Sequence, residues 1–142
     1  EFITLTKNKF FGFSAVNIAG EAVNISDREK TIIDALDHPE YCGGISEAAK
    51  ALWSARQKID FRKLVDYAEK MKNRGIFKRL GYLLQKLEIK IPDGLNKKVK
   101  ENISKGYASL DTVAMKKGRH SSEWRGLVNV SDKDLLEWRE IH

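Results

Sequence analysis

Between residues 45 and 88 apolar side chains return at helical spacing again and again, so the middle of the chain has to be built from successive amphipathic helices. Ile45, Ala48, Ala49 and Leu52 follow the i, i+3, i+4, i+7 rule after a Gly43-Gly44 break, and the alanines allow a close neighbour. Asp60 is placed to cap a third helix with Leu64, Val65, Ala68 and Met71 inward. Residues 74 to 88 put Ile76, Leu80, Leu83, Leu84 and Leu87 on one face. Upstream, Ser26-Asp27-Arg28-Glu29 has capping-box spacing and starts a helix with Ile32, Ile33 and Leu36 inward, which Pro39 stops by disfavouring helical geometry at His38. After Pro92-Asp93, Leu95, Val99 and Ile103 predict a short fifth helix ending at Gly106.

The flanks read differently. Residues 2 to 6 and 10 to 18 are rich in aromatic and β-branched types, and residues 21 to 25 alternate polar with apolar, which predicts an antiparallel meander of three strands. Residues 107 to 110 and 124 to 130 predict strands around a polar loop over 111 to 122, and Ser131-Asp132 opens a terminal helix. The expected fold is therefore α+β: N-terminal antiparallel strands, a helical middle of about five helices, then C-terminal strands and a short terminal helix. With 142 residues, 42% of them hydrophobic, there is material for one core and hence one domain over 1–142.

Charge is concentrated in the helical middle. Residues 70 to 105 hold 11 Lys or Arg against 3 Asp or Glu, a local +8 that exceeds the whole-chain +6. On the wheel of the fourth helix, Arg74, Lys78, Arg79, Tyr82 and Lys86 fall opposite the leucines, a basic face with an aromatic that suits phosphate or acidic-protein contact. Lys97, Lys98 and Lys100 extend this region if the next helix packs alongside, and Lys116, Lys117 and Arg119 form a basic loop. A solvated helix face explains the same pattern without any partner.

Other chemistry is weakly supported. Cys42 is the single cysteine, so no internal disulfide forms, which suits a cytoplasmic setting, and no apolar run reaches membrane-spanning length. His38, His120 and His142 are scattered without metal-ligand spacing, and no Walker loop, GxGxxG or GxSxG occurs. The acids Asp27, Glu29, Asp34, Asp37 and Glu40 suggest a carboxylate-bound magnesium, but helix-end roles account for them better. No catalytic residue, cofactor or metal is expected.

Four segments in order, residues 8 to 13, residues 26 to 41 with Gly43-Gly44, Asn73 with residues 78 to 84, and residues 107 to 111 with 122 to 129, resemble the AbiEi antitoxin family over nearly the whole chain. The resemblance implies the C-terminal domain of a transcriptional regulator of toxin–antitoxin and abortive phage-infection systems. It implies DNA and a nucleotidyltransferase-like toxin as partners, and places the family's N-terminal winged helix outside this chain. Lys78, Arg79 and Tyr82 match the family's Arg-Leu-Gly-Tyr segment, while Glu29, Lys30, Asp34 and Asp37 match its acidic helix. The expected mechanism is electrostatic binding without turnover. The alternatives are a protein-docking module without nucleic-acid affinity, and a metal-dependent nuclease that uses Asp34.

Overall fold

Six α-helices carry the fold in a computed structural model that describes residues 13–18, 21–103, 108–109, 119–121, 124–136 and 138; for the strands at 13–18, 21–26, 108–109 and 119–121 the backbone alone is described. Strands β1 (Phe13–Ile18) and β2 (Glu21–Ser26) pair antiparallel, Phe13 opposite Ser26 and Ile18 opposite Glu21. Then come α1 (Arg28–Asp37), one 3-10 turn at Pro39–Tyr41, α2 (Ile45–Ala55), α3 (Phe61–Met71), α4 (Arg74–Lys86) and α5 (Asp93–Glu101). A second small sheet follows, from β3 (Ala108–Ser109), β4 (Arg119–Ser121) and β5 (Gly126–Val128), before α6 (Asp132–Leu136). In it β5 lies in the middle, parallel to β3 and antiparallel to β4.

The α+β expectation is thereby corrected: the fold is mainly helical. Its core is filled almost wholly by helical side chains, among them Ile33, Leu36, Ile45, Leu52, Leu64, Ile76, Leu80 and Leu83. Among the described side chains the strands contribute only Val128 to that core. A pair of six-residue strands and three strands of two or three residues make no sheet layer against which the helices could stack. The strand expected over residues 2 to 6 lies outside the described residues, and β4 falls in what the sequence presents as a loop.

Helix boundaries follow local chemistry. Asp27, not Ser26, caps α1: its carboxylate accepts the Lys30 N–H at 2.8 Å, while Ser26 still pairs in β2. The reciprocal arm of the expected capping box is likewise replaced, because Glu29 instead accepts the Asp60 backbone N–H at 3.2 Å. Asp60 caps α3 by accepting from Arg62 and Lys63, as its position in the sequence requires. Gly43 and Gly44 take φ of 98° and 112°, a left-handed path that turns the chain into α2 at little steric cost. The Ser46 hydroxyl donates to the Asp134 carbonyl at 3.0 Å and ties α2 to α6. The fifth helix stops at Glu101, five residues before Gly106, with Asn102 donating its side-chain amide to the Lys98 carbonyl at 2.8 Å.

Helix α4 is the central element, and every residue from Ile76 to Leu84 is buried. Its middle carries Gly81, over which the Trp124 ring lies so closely that a Cβ built there would fall 2.2 Å from the ring. Trp124 is held in place by its indole N–H, which donates to the Gln85 amide oxygen at 2.6 Å. Gly81→Ala tests this packing. Alanine gains about 1 kcal/mol of helix propensity over glycine, but overpacking against an immobile ring costs about 1–3 kcal/mol or more. The expected outcome is a net loss of stability by chemical denaturation, whereas Gly94→Ala on α5, where nothing lies within 4 Å, is neutral or stabilising.

Candidate partner-binding surface

The middle of the basic face expected on α4 does not reach solvent. Lys78, Arg79 and Tyr82 are 5%, 7% and 4% exposed. The wheel correctly separates them from the leucines, but α4 is covered on more than one side, by α1, α5 and the C-terminal segment that begins at Trp124. A polar helix face is legible from periodicity; whether water or protein lies over it is not.

Arg79 is a structural cation. It reaches the C-terminal end of α1, donating to the Leu36 carbonyl at 2.8 Å and to the Asp37 carbonyl at 3.4 Å. Those carbonyls are at the negative end of the helix dipole, where a guanidinium is doubly useful as donor and as charge. Asp37, itself buried, accepts from the Asn73 amide at 2.6 Å, and Asn73 in turn caps α4 by accepting the Gly75 N–H at 3.1 Å. The end of α1 and the start of α4 are therefore joined by one polar node. Asp34 binds the fully buried Lys30 ammonium at 2.5 Å.

Lys78 lies close enough to Arg125 and Arg79 to feel both. Burial first, and then those two positive neighbours, hold its ammonium below the usual lysine range. The Tyr82 hydroxyl is buried without a hydrogen-bond partner among the described residues, and the Lys86 ammonium stands 5.8 Å from its ring centroid while pairing with Asp132 at 3.4 Å. Of the face expected on α4, Lys78, Arg79 and Tyr82 are thus inside and Lys86 is engaged with Asp132.

The remaining candidates point in separate directions. Arg74 is exposed and donates to the Asn102 side-chain oxygen across the α4–α5 interface. Lys98 bridges to α3, at 3.2 Å from Asp66 and 2.7 Å from Glu69, and these two carboxylates raise its pKa. Lys97 is 79% exposed with Glu101 at 3.9 Å, and Lys100 is exposed with its ammonium 5.7 Å from the Trp124 ring. Lys116 and Lys117 lie outside the described residues, and of Arg119 only the backbone in β4 is described. Sequence reasoning missed Lys90, exposed on the α4–α5 link, and missed Gly81, for which a glycine inside a strong helical pattern was the available signal.

The acidic set organises the fold. Asp27 gathers the Lys30 N–H, the Tyr67 hydroxyl at 2.8 Å and the Lys63 ammonium at 3.0 Å, with Glu29 3.6 Å from the same ammonium. Burial disfavours the Asp27 carboxylate, but the three donors outweigh it and hold its pKa below the ordinary 3.8. Lys63 is raised in return by Asp27, and Tyr67 is raised by burial and by its bond to the same carboxylate. Among the described residues no group of three or more His, Cys, Asp or Glu is arranged to hold a metal ion.

No family model, curated protein or solved structure matches the chain.

Two outcomes follow from this geometry. Arg79→Met strands the α1 carbonyls and costs about 2 kcal/mol or more, whereas Lys97→Met changes stability by no more than about 0.5 kcal/mol; urea denaturation of both variants checks the contrast. For Asp27, a carboxylate held below its unfolded pKa adds stability above 3.8 that disappears as pH falls through the folded value. Stability measured from about pH 5 down to about pH 2 should fall less steeply for Asp27→Asn than for the native chain.

Proposed function

We propose that this chain is the C-terminal domain of an antitoxin-type transcriptional regulator, which binds DNA and/or neutralises a nucleotidyltransferase-like toxin by non-covalent contact in the cytoplasm. The observation that carries the reading is the meeting of segments that lie far apart in sequence. Asp37, from the acidic-helix segment, accepts from Asn73; Arg79, from the Arg-Leu-Gly-Tyr segment, binds the end of that acidic helix; Gly81 admits Trp124 from the last segment. Residues from three of the four segments on which the family resemblance rests thus pack together, which gives a physical reason for them to occur together.

This unit is the scaffold, and partner contact falls to side chains outside it. The exposed cations near the α4–α5 edge, Lys90, Lys97 and Lys100, replace Lys78, Arg79 and Tyr82 as the residues to test. No described helix is long and apolar enough to cross a membrane.

A second reading, protein docking without nucleic-acid affinity, is favoured by a specific observation. Much of the positive charge on α4 and α5 is already buried or engaged: Lys78 and Arg79 lie inside, while Lys86 and Lys98 pair with carboxylates. That leaves a thin positive field for phosphate tracking, which normally draws on several unpaired Lys or Arg.

The two readings separate in a mobility-shift series on the purified chain. DNA binding driven by phosphate contacts weakens steeply as salt rises, and Lys97→Glu with Lys100→Glu should abolish the shift. Absence of a shift at low salt, with retained co-purification of the toxin-like partner, selects docking; loss of both activities in the native chain overturns the proposal.

A further inference from the structure

Trp124, α4 and α5 enclose a pocket of about 320 Å³ that has no part in the polar node at the opposite end of α4. Its lining is mixed: Leu84 near the end of α4, Ile89 and Ile91 on the link, and Trp124 supply apolar surface among polar side chains. Two ammonium-bearing side chains, Lys90 and Lys100, line it from different elements, while Asn96 adds an amide and Asp93 is the one carboxylate in the lining. Lys90 is exposed and makes no ion pair among the described residues, unlike Lys86 and Lys98 nearby in sequence.

Size and chemistry narrow the occupant. Ligand pockets commonly span roughly 300–1,000 Å³, so this one is at the small end and suits one or two side chains. Trp124 is 4% exposed and rests against α4 at Gly81, which leaves little ring for a base to stack upon. The half-buried Ile89 and Ile91 beside two lysines instead fit an aliphatic side chain flanked by carboxylates. Asp93 offsets one positive charge at most, and its oxygen can accept a peptide N–H.

We propose that this pocket docks an acidic peptide segment of a protein partner, an aliphatic side chain packing against the half-buried Ile89 and Ile91 and neighbouring carboxylates meeting Lys90 and Lys100. It deepens the docking arm of the proposed function and rests on it. The binding is non-covalent, with the charged pairs at the rim setting specificity and the apolar contact anchoring the segment.

The test is a nitrogen-15 NMR titration of the whole chain with a short capped peptide alternating Glu and Leu. A Gln/Leu peptide and an oligothymidylate serve as comparison probes. Saturable movement of the Trp124 indole N–H and the Asn96 side-chain amide is expected with the acidic peptide, weakened about tenfold, or about 1.4 kcal/mol, by Lys90→Glu. Because Lys90 is solvent-exposed, the variant's unfolding midpoint should match the native one; Lys90→Gln provides a second variant with an intermediate loss. No movement, equal affinity for the Gln/Leu peptide, indifference to both substitutions, or tighter oligothymidylate binding at the same resonances each overturns the pocket assignment. If the toxin-like partner still co-purifies in that event, the proposed function survives and only this site falls.

Discussion

The fold depends on how the carbonyl end of α1 is satisfied. A helix terminus inside a protein leaves acceptors that water cannot reach, and α1 ends against the core with no basic residue in its own last turn. The missing donor comes from 42 positions downstream, as the Arg79 guanidinium, and the Asp37–Asn73 bond fixes the approach of the two helices. Once α1 and α4 are set relative to each other, Ile33, Leu36, Ile76 and Leu80 share one core and α3 and α5 have surfaces to pack on. Burial of a leucine or isoleucine supplies about 1.5–3 kcal/mol each, but it is not directional. The polar node gives the apolar collapse a unique arrangement.

A common logic links this node to the charge distribution. Lys30, Glu29, Asp37, Lys78 and Arg79 are all buried, an unusual number of charged side chains to remove from water. Most have identifiable work at helix ends: Glu29 serves the backbone at Asp60, Arg79 the end of α1, and Asp37 the cap of α4. Net charge counted along the sequence therefore overstates the field that a partner meets. Lys90 on the α4–α5 link and Lys97 and Lys100 on α5 are lysines that remain exposed.

What was legible in the sequence was what is decided within a few residues. Asp60 capping α3, Pro39 ending the first helix and the paired glycines before α2 are short-range effects, and the inward residues of α2 and α3 follow from periodicity alone. The choice of Asp27 over Ser26 as cap was not legible, because it depends on Lys63 and Tyr67 converging from α3. The site fared worse for the same reason. Lys78 and Tyr82 look solvent-facing on an isolated wheel, and only the placement of Trp124 and the C-terminal segment shows otherwise. The short strand β4 carries no alternation to find; it exists because β5 offers it an edge.

The order of strands in the small sheet bears on how the chain is completed during synthesis. β5 is made last yet lies between β3 and β4, so neither earlier strand has its neighbour until Val128 has left the ribosome. Trp124 emerges just before it, and until then the groove over Gly81 stands open to water. A nascent chain halted short of this point would carry its helices with that groove bare, leaving a greasy surface that chaperones and proteases could recognise as the mark of an unfinished product.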